Sequence, residues 1–280
     1  MNMKNCRNII LAAAVLVAAS SCSDKVQIKG TIAGAPDTQV VVKQLNGGAL
    51  VALDTVRTDG KGAYSYSVEV LKGQPQFIYL YKGDTKVASL LLQKGDKVKV
   101  ASDTLGKYSV EGSAESELLR QVEEDFAAFL DKFTADAARG DNAAASKDYI
   151  DYYRGRVKFI MENAKSLTAI PVLYQKINDN FPVFSQATDA IMFRNVHDSL
   201  MTVYPESRYV SALAKEAEKR FNAFDLSQRI QNAQESSYPD LYLPSVDGTK
   251  VRLSEVGSKV VLVYFWQAAD AAQKMFNQDV

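Results

Sequence analysis

"DGKGAYSYSVEV" (residues 59–70) decides how the first part of this chain is read. Asp59-Gly60-Lys61-Gly62 is a turn. Glycine enters backbone conformations that other residues avoid, and a short Asp side chain can bond to the backbone just ahead of it. The next eight residues, "AYSYSVEV", alternate polar and apolar, so Tyr64, Tyr66 and Val68, or their neighbours, share one face of a strand. Upstream, "VQIKGTI" (26–32) alternates up to Gly34 and Pro36, and "TQVVVKQL" (38–45) meets the Asn46-Gly47-Gly48 turn before "ALVALDTVRT" (49–58). Downstream, "PQFIYLYKGD" (75–84), "KVASLLLQKGD" (86–96) and "KVKVAS" (97–102) continue the pattern. Short segments rich in Val, Ile, Tyr and Thr, broken by glycine turns, predict an antiparallel sandwich or barrel of roughly eight strands, read as a β-sandwich over residues 24–112.

The texture changes at Gly112-Ser113. Ser113 can cap a helix that carries Glu115 and Glu117 in its first turn. Leu118, Leu119, Val122, Phe126, Phe129, Leu130 and Phe133 then recur at helical steps. Gly140-Asp141 breaks that stripe. A second helix is predicted over about 144–164, with Tyr149, Ile150, Tyr153, Val157, Ile160 and Met161 on one face. Pro171 marks a short third helix, Asn180-Phe181-Pro182 interrupts again, and two more helical stretches are predicted near Ser185–Tyr204 and Ser207–Phe224. Residues 113–235 therefore form a helical middle segment. After Ser236 the pattern returns to short strands around Asp247-Gly248 and ends in an apolar run, Val260–Phe265, with the composition of a strand covered on both faces.

The chain has 280 residues, room for roughly two domains of about 100–200 residues each. Its 33 basic residues balance its 33 acidic ones, so no large field favours nucleic acid as a partner. Residues 1–21 stand apart. Lys4 and Arg7 precede Ile9–Ala19, an apolar run too short for a typical membrane span of about 20 residues, and small residues follow up to Cys22. This is a secretory signal peptide. Its small-residue run ending in cysteine resembles a lipobox, the lipidation and cleavage site of bacterial lipoproteins, although Ala19 stands where that motif usually has leucine. The alternative is an ordinary signal peptide cleaved near Ser21, leaving a spare thiol. The lipobox reading implies a protein anchored by lipid at Cys22 in the cell envelope, at the outer membrane, where two or more acyl chains anchor stably and one does not. Cleavage would remove Cys6, Lys4 and Arg7, leaving 31 basic residues against 33 acidic and no free thiol.

Other candidate groups are few. His197 is the single histidine, a poor base for a histidine metal site or a His-dependent triad. Asp59-Gly60 resembles part of a calcium loop without its later ligands, so a turn is expected. Tyr149, Tyr152 and Tyr153 read first as helix core and second as an aromatic binding patch. No phosphate loop or nucleophile elbow occurs, and no metal or cofactor is expected.

Pro239-Asp240, Leu243-Pro244, Asp247-Gly248, Leu253-Ser254, Lys259–Val263 and Phe265-Trp266, taken as an ordered set, resemble the entry to thioredoxin-like domains of membrane-anchored thiol–disulfide oxidoreductases and peroxiredoxin-like proteins. Residues 26–111 are similar to an uncharacterised β-domain found before such domains in envelope lipoproteins. The resemblance implies a Cys-x-x-Cys at the start of the next helix, where the helix end lowers the pKa of the first thiol. At those places stand Asp270 and Gln273, which cannot exchange disulfides, and Asp270 reads first as a helix cap. The resemblance also implies roughly 100 further residues, so 236–280 are expected to be the N-terminal part of an incomplete thioredoxin-like α/β domain. Either a longer chain is cut at Val280, or these residues pack on the helices. The expected whole is an α+β multidomain protein with a non-catalytic binding or scaffold role, related to thiol–disulfide oxidoreductases but redox-inactive. Its partners are the membrane, through the lipid anchor, and an unidentified protein or small molecule. The alternative is a thiol–disulfide or peroxide reductase relative whose catalytic part lies outside this chain.

Overall fold

The computed structural model describes residues 24–232, 240–245, 247–257 and 260–264. The chain divides into two compact units, Met1–Ser227 and Gln228–Val280.

In the first unit, eight strands run from β1 (Lys25–Ile32) through β2 (Gln39–Asn46), β3 (Ala49–Arg57), β4 (Ala63–Glu69), β5 (Gln76–Lys82), β6 (Thr85–Leu92) and β7 (Lys97–Ser102) to β8 (Tyr108–Glu111). They form two four-stranded sheets, in the orders β4-β1-β7-β8 and β3-β2-β5-β6. The alternation read from the sequence is the alternation of burial. Val26, Ile28 and Ile32 of β1 point inward, as do Val98 and Val100 of β7, and they meet Val40, Val42, Ile78, Leu80 and Leu90 of the other sheet in one core. Among the described residues every strand pair is antiparallel except β1–β7, which runs parallel from Gln27–Lys97 to Ile32–Ser102. The antiparallel sheets expected from the turns are formed, with one parallel ladder that the turns did not announce. Turns reveal sequential hairpins, whereas β7 returns beside β1 across the intervening strands.

Five helices follow: α1 (Ala114–Ala138), α2 (Asn142–Glu162), α3 (Ala169–Leu173), α4 (Ala190–Met201) and α5 (Arg208–Asn232). Between α3 and α4 lies a small hairpin, β9 (Lys176–Asn178) with β10 (Phe181–Pro182), where the sequence showed only an interruption. Change of texture at Gly112-Ser113 is a change of secondary structure within one unit, because one sheet is covered on both faces. Phe77 pairs with Leu91, and Ile78 with Leu90. Ile78 and Leu90 enter the sandwich core, while Phe77 and Leu91 enter a second core with Leu119, Val122, Leu173, Phe184, Phe193 and Leu213 from the helical segment. That exchange of faces follows from the two-residue period of a strand.

The first turn of α1 is tied to the same strand. Ser113 Oγ caps the helix by accepting from Ser116 N at 3.3 Å, and its hydroxyl donates to Leu91 O. Ser116 Oγ donates to Leu91 O and accepts from Leu91 N, both at 3.1 Å. Two turns on, Glu123 accepts from Lys86 Nζ at 2.7 Å, Ser89 Oγ at 2.8 Å and Tyr108 OH at 3.3 Å, joining α1 to β6 and β8.

On the solvent side of α1, Glu117 accepts two hydrogen bonds from Arg120 and one from Gln121, and these hold its carboxyl down at about 2. A folded-state value below the ordinary one contributes stability above pH ~4.3 that is lost as pH falls toward 2. Because the pair faces water, the contribution is small. Glu117→Gln is expected to cost under about 1 kcal/mol at pH 7, with the two proteins converging in thermal melts as the pH is lowered to about 2.

In the second unit, β11 (Tyr242–Pro244) pairs with β12 (Lys250–Arg252) around a turn in which Asp247 accepts from the Thr249 amide and hydroxyl. Asp240 accepts from Ser254 N and Arg252 Nη1, both at 3.0 Å, and these donors hold its carboxyl below the usual carboxylate range. The strand expected at Val260–Phe265 is not formed over 260–264. No described strand pairs with these residues, and Val260 and Leu262 are 86% and 92% exposed. An apolar run becomes a strand only when neighbours take its amides and carbonyls. Cys22, Asp270 and Gln273 lie outside the described residues.

Candidate functional site

The outer face of β5 does not pack against the helices along its whole length. Near the tip of the β2–β3 hairpin it leaves a cleft of about 480 Å³. Its floor is Phe77 and Tyr79. The hairpin contributes Leu45, Gly47 and Gly48. Ile170 and Pro171 of α3, with Tyr174 just beyond, form one wall; Arg208, Tyr209, Ala212 and Leu213 of α5 form the other. The volume lies within the range of roughly 300–1,000 Å³ common for small-molecule sites, and a mostly apolar lining with a few convergent polar groups is their usual character.

Each wall is held for a local reason. Residues 208, 209, 212 and 213 lie on one face of α5 because three- and four-residue steps return to the same side of a helix. Tyr209 fixes that helix against the sheet. Its hydroxyl donates to Leu45 O at 3.2 Å and accepts from Phe77 N at 3.1 Å, satisfying backbone groups of two strands. Its ring meets Phe77 edge-on, with centroids 4.9 Å apart at 82°. Burial, foremost, pushes the Tyr209 phenol up, and burial likewise pushes up Tyr79. Both therefore stay neutral, as hydrogen-bonding groups and apolar surface. Arg208 opens α5. Its Nη2 donates to Gln76 Oε1, which also accepts from Gln44 Nε2 at 2.7 Å, and its guanidinium lies 5.4 Å from the Tyr209 ring centroid. Among the described residues no carboxylate lies within ion-pair distance of Arg208. Glu206, two residues earlier, takes a hydrogen bond from Gln74 instead.

The residues singled out in the sequence are placed elsewhere. Tyr149, Tyr152 and Tyr153 are used in packing. Their hydroxyls donate to Val183 O, Gln175 Oε1 and Asp189 Oδ1, and Tyr152 stacks on Phe129 with centroids 4.1 Å apart. Asp59 accepts from the Lys61 and Ala63 amides, which close the turn and hold its carboxyl below the usual range. His197 sits on α4 with Nδ1 2.9 Å from Asp198. No group of three or more His, Cys, Asp or Glu among the described residues could hold a metal ion, and no described helix is long and apolar enough to cross a membrane. Sequence reasoning missed the cleft because its residues look like core: Leu213 and Tyr209 lie in apolar stripes, and Gly47-Gly48 reads as a plain turn.

A family model described as a domain of unknown function (DUF4369) matches residues 26–119, about a third of the chain. No curated protein matches the chain. The matched span holds both sheets and continues through the cap and first turns of α1 to Leu119, the residues that Ser113 and Ser116 tie to β6. Residues 26–119 are thus a β-rich region similar to the DUF4369 domain, completed by the start of the helix that seals one of its sheets.

Proposed function

We propose that this chain is a non-catalytic binding module of the bacterial cell envelope, held at the outer membrane by a lipid on Cys22, that takes a small, mainly apolar ligand into the cleft between β5, α3 and α5. The observation that carries the reading is that cleft, bounded by three packed elements yet open to solvent. The small-residue run ending in Cys22 supports the anchor. The ordered set from Pro239 to Trp266 supports kinship with thioredoxin-like proteins, and Asp270 and Gln273, at the places of the paired cysteines, make that kinship redox-inactive.

The neutral fluorophore N-phenyl-1-naphthylamine tests the cleft. Its emission is expected to rise on mixing with the protein. Ala212→Trp, which fills the cleft from an exposed position on α5, is expected to abolish the rise without lowering the melting temperature. No rise with the unaltered protein, or an equal rise with Ala212→Trp, refutes the binding site. The anchor is tested by labelled palmitate, whose incorporation should disappear in Cys22→Ala.

A further inference from the structure

We propose that the ligand of this cleft is an amphipathic carboxylate, its apolar body lying against Leu45, Pro171 and Ala212 and its carboxylate meeting the Arg208 guanidinium. The inference rests on the reading of the cleft as a ligand site and specifies the ligand's chemical class.

Three observations converge on the charged end. Arg208 borders the cavity and makes no ion pair among the described residues, although the chain as a whole is balanced in charge. Only its Nη2 is engaged, by a neutral amide oxygen, and Nε and Nη1 carry no hydrogen bond among the described residues. Finally, Arg208 is the first residue of α5, so its charge adds to the positive end of a helix of 25 residues. A guanidinium offers a planar fork that matches a carboxylate in two parallel hydrogen bonds. Its orientation is fixed beforehand by Gln76 and by the Tyr209 ring, so less freedom is lost on binding.

The apolar end follows from the remaining lining. Leu45, Ile170, Pro171 and Ala212 offer no side-chain donor or acceptor, and the Tyr209 hydroxyl is already occupied by Leu45 and Phe77 backbone, so beside Arg208 the side-chain polar groups of the lining are the Tyr79 and Tyr174 hydroxyls. A ligand polar along its length would lose more hydrogen bonds to water there than these two hydroxyls could return. A fully apolar ligand would leave the arginine unused. A ligand with one carboxylate and an aryl or medium-length alkyl body uses both.

Displacement of N-phenyl-1-naphthylamine from the intact chain tests this with two matched competitors, 4-phenylbutyrate and the neutral 4-phenyl-1-butanol. At pH 7 the carboxylate is expected to displace the probe at about ten-fold lower concentration, the scale of one charge-assisted hydrogen-bonded pair. Arg208→Gln is expected to equalise the two, and Arg208→Lys to keep part of the preference. In the unaltered protein the preference should shrink as salt is raised, a readout that does not depend on the variants folding. Equal displacement by both competitors overturns the carboxylate inference and leaves the apolar site standing. A preference that persists in folded Arg208→Gln overturns the role of Arg208. Failure of the probe itself to bind removes the site altogether.

Discussion

Phe77→Ala is expected to lower the unfolding free energy of the first unit by about 3–5 kcal/mol, the usual cost of removing a fully buried phenylalanine. Phe77 is 0% exposed, and it is a strand residue whose side chain belongs to the helical core. Its ring carries the edge-on contact with Tyr209, and its amide donor is satisfied by the Tyr209 hydroxyl. The loss should therefore appear as one cooperative transition, with the strand and helix signals of circular dichroism moving together in denaturant. Ile78→Val, one residue along in the sandwich core, is the matched control, at about 0.5–1.5 kcal/mol. Were Phe77→Ala to melt the helices and leave the strands at their original midpoint, the sheets and helices would be independent bodies and the shared core would be wrong.

Gly112→Ala is expected to cost about 2–5 kcal/mol, a large effect for one added methyl group. Gly112 has φ +82°, where a side chain costs about 1–2 kcal/mol, and it lies at the hinge between β8 and α1. A Cβ there would come within 2.0 Å of Lys97 O and 2.9 Å of its carbonyl carbon. Those are backbone atoms of the neighbouring strand and cannot swing aside, so overpacking adds a further ~1–3 kcal/mol. Relief would draw Ser113 off Leu91 and loosen the helix start. Gly73→Ala supplies the comparison. Its φ is +74°, yet nothing lies within 4 Å of the added atom, so only the conformational part, about 1–2 kcal/mol, should be measured. Equal costs for the two substitutions would show that the close approach to Lys97 does not constrain the fold.

The local features were legible in the sequence because local rules produced them. Asp59-Gly60-Lys61-Gly62 closes a turn through Asp59, Ser113 caps α1, and the second helix, expected at about 144–164, runs Asn142–Glu162. Relations between distant segments were not legible. Nothing near Gln27 names Lys97 as its neighbour, so the parallel ladder could not be anticipated from turn chemistry. The double burial of β6 had left a trace, since Leu90-Leu91-Leu92 is a continuous apolar run and such runs mark strands covered on both faces. Val260–Tyr264 has the same composition and no strand, because composition supplies the apolar surface but not the partner. The cleft was hidden for a related reason. Whether Tyr209 and Leu213 face a neighbouring side chain or an open space depends on how far α5 stands from β5, a distance that helical periodicity does not encode.

The place of β1 inside its sheet bears on how the protein carries a mechanical load. β1 is flanked by β4 on one side and β7 on the other, paired over Lys25–Thr31 and Gln27–Ile32. On the proposed attachment, a tether at Cys22 pulls on the chain three residues before Lys25. Tension drawn along β1 shears two ladders at once, so their hydrogen bonds share the force instead of parting one after another, as they would when an edge strand is peeled from its end. The strand nearest the tether is then held on both sides against it. A protein drawn away from its membrane would resist at this point through the rate at which two loaded ladders fail, not through its equilibrium stability.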